Sequence, residues 1–308
     1  MSKKILVAST LIMFALGSCY KNEKKDIPTY NSLTDAFATL APASKTVNMD
    51  AATGGSFRGN SGARYEFPPN AFVTGTGTAV TGTVVIEVKE YLTKSDMLYS
   101  GVLPMTDSES LISGGEVYVH ATQGGQELFL RPGTTYSVNL AQNGTPVAGM
   151  KVFQGHETTA GVLWVPKPDS GIAKIVYNGD TIEMFTDSLE YANADKFMST
   201  PHYQTFQISL STSNGVAIPA ANYTTSTAIV AHCLYDEFNG IYKLLYTGNG
   251  FINVNHIPDI PVHFVVTALI EGQFYGGILG ATPTTGNTYS VLLKPTTPAE
   301  FKTLIDAL

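Results

Sequence analysis

Glu116-Val117-Tyr118-Val119-His120-Ala121 alternates polar and apolar side chains at every step. A period of two puts Val117, Val119 and Ala121 on one face and Glu116, Tyr118 and His120 on the other, the pattern of a half-buried antiparallel strand. The same alternation runs through Thr83 to Tyr91, with Val84, Ile86 and Val88 on one face. Between such runs lie Gly124-Gly125, Asn143-Gly144, Asn178-Gly179 and Asn239-Gly240, pairs suited to positive φ at both positions of a tight hairpin turn. The long helices that parallel crossovers would need are absent, so the pattern predicts packed antiparallel sheets.

Working outward, the alternation begins near Lys45. The expected fold class is all-β: two antiparallel β-sandwich (immunoglobulin-like) domains, at 45–146 and 201–308, with a β-rich connecting module at 147–200. In the second domain, Phe206, Ile208 and Leu210, then Ala228 to Tyr235, Ile241 to Tyr246 and Val262 to Ile270 supply the strands. A short C-terminal helix follows from Thr297, Pro298 and Glu300, a capping box with proline at the first helical position, before Phe301, Leu304, Ile305 and Leu308. Ser32 to Leu40 is a candidate short helix, with Leu33, Phe37 and Leu40 on one face, inside a charged tether expected over 19–44.

The N-terminus carries an address. Lys3 and Lys4 precede the apolar run Ile5 to Leu16, and small residues Gly17 and Ser18 follow, the three parts of a secretory signal over residues 1–18. Leu16-Gly17-Ser18-Cys19 resembles the lipobox of bacterial lipoproteins. That resemblance implies cleavage before Cys19, a diacylglycerol thioether on its sulfur and tethering to the cell envelope, most naturally the outer membrane. The periplasmic and surface faces both stay open, because Glu23 and Asp26 are interleaved with Lys21, Lys24 and Lys25. Acyl chains contribute about 0.8 kcal/mol per buried methylene, so the membrane would be held without a spanning helix.

The formal charge is −7, and loss of Lys3 and Lys4 with the signal makes the remainder more acidic still, which argues against nucleic acid as a partner. Only two cysteines are present; with Cys19 given to lipid, Cys233 has no intramolecular partner.

Gly54-Gly55-Ser56-Phe57 followed by Tyr65-Glu66-Phe67-Pro68-Pro69-Asn70-Ala71-Phe72 resembles the β-sandwich domain shared by ankyrins, netrin receptors and zonula-occludens proteins. A group of Gram-negative lipoproteins is similar through Gly82-Thr83-Val84, Glu90-Tyr91, Lys94-Ser95-Asp96-Met97, Leu111-Ile112-Ser113-Gly114-Gly115-Glu116 and Gln126-Glu127-Leu128, and through Tyr191-Ala192-Asn193-Ala194-Asp195-Lys196-Phe197. The likeness implies a fold and no reaction. Some eukaryotic relatives cleave themselves at a His-Phe-Ser sequence; here His263-Phe264-Val265 lacks the serine, which excludes that activity.

Chemistry is sparse. The six histidines show no His-x-x-x-His spacing and no Cys-x-x-Cys exists, so no metal ligand set and no cofactor is expected. His232 and Cys233 are adjacent in a strand and point to opposite faces. Gly59-Asn60-Ser61-Gly62 reads as a loop, not a nucleophile elbow. Asp236-Glu237, and Glu109 near Asp107, read as solvated loop acids. Asp180-Thr181-Ile182 and Asp187-Ser188-Leu189 resemble the short acceptor for O-glycosylation of some exported Gram-negative proteins, which would place sugars on Thr181 and Ser188. With 16 Tyr, 15 Phe and one Trp, a sugar-stacking row is conceivable, although aromatics favour strands for packing alone. The expected function is a noncatalytic binding, adhesion or scaffold lipoprotein with a protein or glycan partner. The alternatives are an envelope- or polysaccharide-acting hydrolase whose site forms only in three dimensions, and a glycan-binding lipoprotein.

Overall fold

The computed structural model describes residues 28–308 except 108, 143, 160, 169–171, 199–202, 220–221, 223–227 and 245–250, and the side chains of 251, 253, 255 and 256 are likewise left aside. The signal, Cys19, most of the charged stretch behind it and Asn143 therefore lie outside the described residues.

Helix α1 (Leu33–Phe37) leads into β1 (Lys45–Asp50), β2 (Gly55–Arg58), β3 (Arg64–Phe67), β4 (Phe72–Thr74) and β5 (Thr83–Tyr91). Helix α2 (Lys94–Ser100) then separates these from β6 (Leu111–Gln123), β7 (Gln126–Leu130) and β8 (Tyr136–Ala141). Strands β9 (Lys151–Thr158), β10 (Gly161–Pro166), β11 (Lys174–Asn178), β12 (Thr181–Thr186) and β13 (Glu190–Phe197) complete the first half. The second half holds β14 (Tyr203–Thr212), β15 (Ile229–Tyr235), β16 (Ile241–Leu244), β17 (Phe251–Pro258), β18 (Val262–Ile270), β19 (Gln273–Ala281) and β20 (Thr288–Pro295), closed by α3 (Pro298–Ile305).

The protein is all-β, as its alternation predicts, but its chain organisation differs from the linear one. In the first half, one sheet runs β1-β5-β6-β13-β9-β10, with β7 and β4 attached beyond the end of β6, and faces a second of order β11-β12-β8-β3-β2. Their shared core includes Val84, Ile86, Val88, Val117, Val119, Tyr65, Phe67, Val138 and Ile182. The stretch 147–200, expected as a connecting module, supplies β9, β10 and β13 to one sheet and β11 and β12 to the other. Strand β13 pairs with β6 on one side and β9 on the other, so the first sandwich draws on residues up to Phe197.

The second half is one sheet of order β16-β15-β18-β19-β20-β14-β17. It folds over where β19 meets β20, which are joined by only Tyr275↔Pro295 and Gly276↔Lys294. The two wings then pack face to face, Phe206, Ile208, Val291 and Leu293 against Ala231, Cys233, Phe264 and Val266. The β14–β20 pair is parallel, a departure from the antiparallel expectation; it joins strands far apart in the chain, so no hairpin dictates its direction.

A third core joins the halves. Leu234, Ile241, Val265, Leu269 and Phe274 on the other face of the second sheet pack with Met97, Leu98 and Tyr99 of α2, with Phe153 and Trp164, and with α1 and α3. Helix α1 is seated on this surface and not on a free tether: Tyr30 N donates to Gly272 O at 2.8 Å, and Phe37 meets Tyr99 edge-on with centroids 4.8 Å apart. Helix α3 has its Thr297–Glu300 capping box and buries Phe301 and Ile305 here, whereas Leu304 and Leu308 are exposed. A side chain at Gly276 would lie 2.4 Å from the Phe301 ring, so that glycine is what admits the helix.

Turn chemistry is more varied than the pairs suggest. Gly124-Gly125 joins Gln123 to Gln126 with φ of 60° and 80°, a type I′ geometry. Asn178 instead pairs with Thr181, so the turn residues are Gly179, at φ 64°, and Asp180. Gly240 is not in the positive-φ region; a Cβ there would lie 3.0 Å from Leu111 O, so close approach explains the glycine.

Candidate functional site

The outer face of the first sheet, the face carrying Glu116, Tyr118 and His120, bears most of the unusual polar chemistry. Register aligns Lys89, Tyr118, Tyr191, Gly155 and Trp164 in one row across β5, β6, β13, β9 and β10. Lys89, Tyr118 and Tyr191 are half-buried and Trp164 is buried. Lys89 Nζ lies 5.6 Å from the Tyr118 ring centre, and the Tyr118 and Tyr191 rings are 4.8 Å apart. One step along β6, the half-buried His120 ring lies 6.3 Å from Tyr118 and within 10° of its plane. At Gly155 a Cβ would come within 2.9 Å of Trp164 and 2.6 Å of Tyr191, so the glycine lets these rings meet, edge-on at 6.3 Å. Trp164 Nε1 is held by Leu103 O at 2.9 Å. Carboxylates surround the row: Tyr191 Oη donates to Glu157 Oε1 at 3.0 Å, and Glu190, Glu87, Glu157 and Glu127 add to burial in raising the Tyr118 hydroxyl above its ordinary range.

The next row is covered by the second half and holds Tyr91, Glu116, Asn193 and Phe153. Between Asn193 and Asp195 the register slips, because Gly114 and Gly115 on β6 both face Ala194. The bulge explains the two glycines: Gly115 has φ 127°, and a Cβ on Gly114 would lie 2.7 Å from Ile182 and 2.8 Å from Met150. It also brings Ser113 and Glu116, three residues apart, to Asp195 and Asn193 on the same side. Glu116, Asn193 and Asp195 are fully buried. Asn193 Nδ2 donates to Asp195 Oδ2 at 2.8 Å. Both carboxyl oxygens of Glu116, Asn193 Oδ1 and Asp195 Oδ1 find no donor among the described residues, four of six such atoms. Burial pushes both carboxyls well above their usual range; at Glu116 the neighbouring Asp195 adds to this and the Asn193 amide opposes it, while at Asp195 the Ser113 hydroxyl and Gly114 N–H oppose it. The Asn239-Gly240 turn closes over the bulge, with Ser113 N donating to Asn239 O at 2.7 Å.

The remaining candidates are dispersed. Cys233 is buried in the second core with its thiol pushed up by burial, the opposite of an activated nucleophile. His232, on the other face, is buried and driven down to about 3 by desolvation and then by Lys243, so its imidazole is neutral. Asp236 is not merely solvated: its Oδ1 lies 2.7 Å from His263 Nδ1 in a half-exposed pair. The Gly59-Asn60-Ser61-Gly62 loop wraps Glu90, whose carboxylate accepts from Ser61 N, from Ala63 N at 3.1 Å and from Tyr65 Oη at 3.4 Å. Thr181 and Ser188, the glycosylation candidates, both have engaged hydroxyls: Thr181 Oγ1 donates to Asn178 O at 2.8 Å, and Ser188 Oγ contacts Lys167 Nζ and Gln154 Oε1. Beside Ser188 a groove of about 380 Å³ is lined by Lys151, Lys167 and Lys174. Lys167 is paired with Asp187, and Lys174 lies 5.0 Å from the Phe185 ring centre. Among the described residues no three side chains drawn from His, Cys, Asp and Glu gather in one place, and no helix is long and apolar enough to cross a membrane.

No protein-family model matches this sequence, nor does any curated protein.

Proposed function

We propose that this protein is a lipid-anchored, noncatalytic binding module of the cell envelope, and that the outer face of its first sheet takes up a saccharide. The observation that carries the reading is the half-buried cluster of Tyr118, Tyr191 and His120, with Lys89 and Glu157 beside it. Aromatic faces pack against the C–H faces of pyranose rings, while flanking carboxylates and an ammonium accept from and donate to sugar hydroxyls. A rigid sheet fixes such rings without the ordering cost that a loop would incur. Carboxylates outnumber cations around the row, which favours a neutral glycan over an acidic one. The hydrolase alternative needs a carboxyl pair that substrate can reach, and Glu116 and Asp195 are fully covered.

A glycan array tests the proposal: the wild type should retain neutral oligosaccharides, and Tyr118→Ala and Tyr191→Ala should each lose at least roughly tenfold in affinity while staying folded. Retention unaltered in both variants would place binding elsewhere. For the anchor, Cys19→Ala should abolish labelling by radioactive palmitate; continued labelling would sink the lipoprotein assignment.

A further inference from the structure

We propose that Glu116, Asn193 and Asp195 form a buried site for a hard divalent cation, calcium in preference to magnesium. Among the described residues four oxygens from these three side chains have no donor, and all four are acceptors. Acceptors gathered in a low-dielectric interior repel one another unless protons or a cation stand between them. An all-oxygen set of two carboxylates and an amide suits calcium, which tolerates irregular geometry and a bidentate carboxylate; magnesium demands a near-octahedral shell.

Asn193 adds a neutral oxygen ligand to the acid pair. Its Nδ2 donates to Asp195 Oδ2 and also favours the charged form of Glu116, while its fully buried Oδ1 has no donor among the described residues. A single proton shared by the carboxyls serves at most two of the four oxygens, one as donor and one as acceptor, whereas one divalent cation serves all four. The other groups facing the cluster do not replace the cation. Tyr91, on β5 opposite Glu116, has its hydroxyl engaged with Tyr191, and both Glu116 oxygens and Asp195 Oδ1 stay without a donor among the described residues. Binding displaces the carboxyl protons to solvent, one for each group protonated beforehand, so that the two carboxylates balance the divalent charge. Bonded across β6 and β13 directly beneath the Asn239-Gly240 turn, the ion would tie together the strands on which the second half is seated.

The experiment is equilibrium dialysis of the purified, chelator-treated protein against radioactive calcium, with unfolding temperature followed in parallel. The expected result is about one calcium per chain, a raised unfolding temperature with calcium but not with equal magnesium, and a loss of roughly tenfold or more in affinity for Glu116→Gln and Asp195→Asn. No uptake by the wild type at millimolar calcium overturns the proposal, as does equal affinity in both variants. Should the variants fail to fold, terbium on the wild type decides: emission sensitised through Tyr91 and displaced by calcium supports the site, and its absence refutes it.

Discussion

Glu90 and Glu116 sit one register step apart on opposite faces of the same sheet, Glu90 across from Val117 and Tyr91 across from Glu116, and both are buried. Their surroundings differ entirely. Glu90 points between the sheets, where residues 59–63 are folded around it to offer two backbone N–H groups and the Tyr65 hydroxyl. Gly59 is part of that fit, since a Cβ there would lie 2.0 Å from the carboxylate. Glu116 points toward the second half, and neither of its oxygens has a hydrogen-bond donor among the described residues. The first carboxylate is a fastener for a loop; the second has no such donors built around it. Burial by itself says nothing of a carboxylate's role, which is set by the donors built around it.

The contrast can be broken most violently at the bulge. Gly114→Val puts methyl groups into Ile182, Met150 and the Ala194 carbonyl and should cost roughly 3 kcal/mol or more by urea unfolding; a near-neutral result would mean that the bulge does not hold the cluster. Next in size, Glu90→Ala strands the Ser61 and Ala63 donors and should cost about 2 kcal/mol. Glu116→Leu, measured without calcium, should do the reverse and stabilise by about 1 kcal/mol, because it removes two unsatisfied acceptors at little change in volume. Equal losses in the two variants would erase the distinction drawn between them.

The smaller effects are in pH. Glu90, Glu116 and Asp195 all have raised folded-state values, so the folded protein holds these protons more tightly than the unfolded chain does. Their contribution is complete below the ordinary carboxyl range, about pH 4, and is lost as pH rises through the raised values. Calcium-free wild type should therefore lose stability over that rise more steeply than Glu116→Leu, and calcium should flatten the wild-type curve. His232 acts with the opposite sign: driven from 6.5 to about 3, it favours folding only above its unfolded value, and that stability drains away as pH falls from 6.5 toward 3. In His232→Leu this acid sensitivity should diminish in the same titration.

Strands β5 and β6 were legible because period-two alternation is a local property, and α3 because its capping box lies within four residues. Helix α2 was not, although Thr93 and Asp96 make a box of the same kind; its aspartate replaces the usual glutamate, and the helix has only seven residues. Glu116, Tyr118 and His120 share a face as the alternation implies, but the strand is not half-exposed: Glu116 is fully buried and Tyr118 and His120 are half-buried. Nothing in the chain between Glu116 and Tyr191 announces that β13 inserts beside β6, so the alignment of Tyr118 with Tyr191 and of Glu116 with Asn193 is invisible before pairing. A weak signal was present: Ser113-Gly114-Gly115-Glu116 interrupts an alternating strand with two glycines, which is how a bulge announces itself.

The sequence by itself determined the all-β class, most strand faces and the C-terminal helix, since these follow from side-chain period, turn residues and caps acting over a few positions. Tertiary structure alone decided that residues 147–197 complete the first sandwich, that one carboxylate is satisfied and its neighbour is not, and that two tyrosines from distant strands share a row. Those outcomes depend on which strand lies beside which, and pairing partners are chosen by the burial of whole faces, a sum over the entire chain that no local stretch contains.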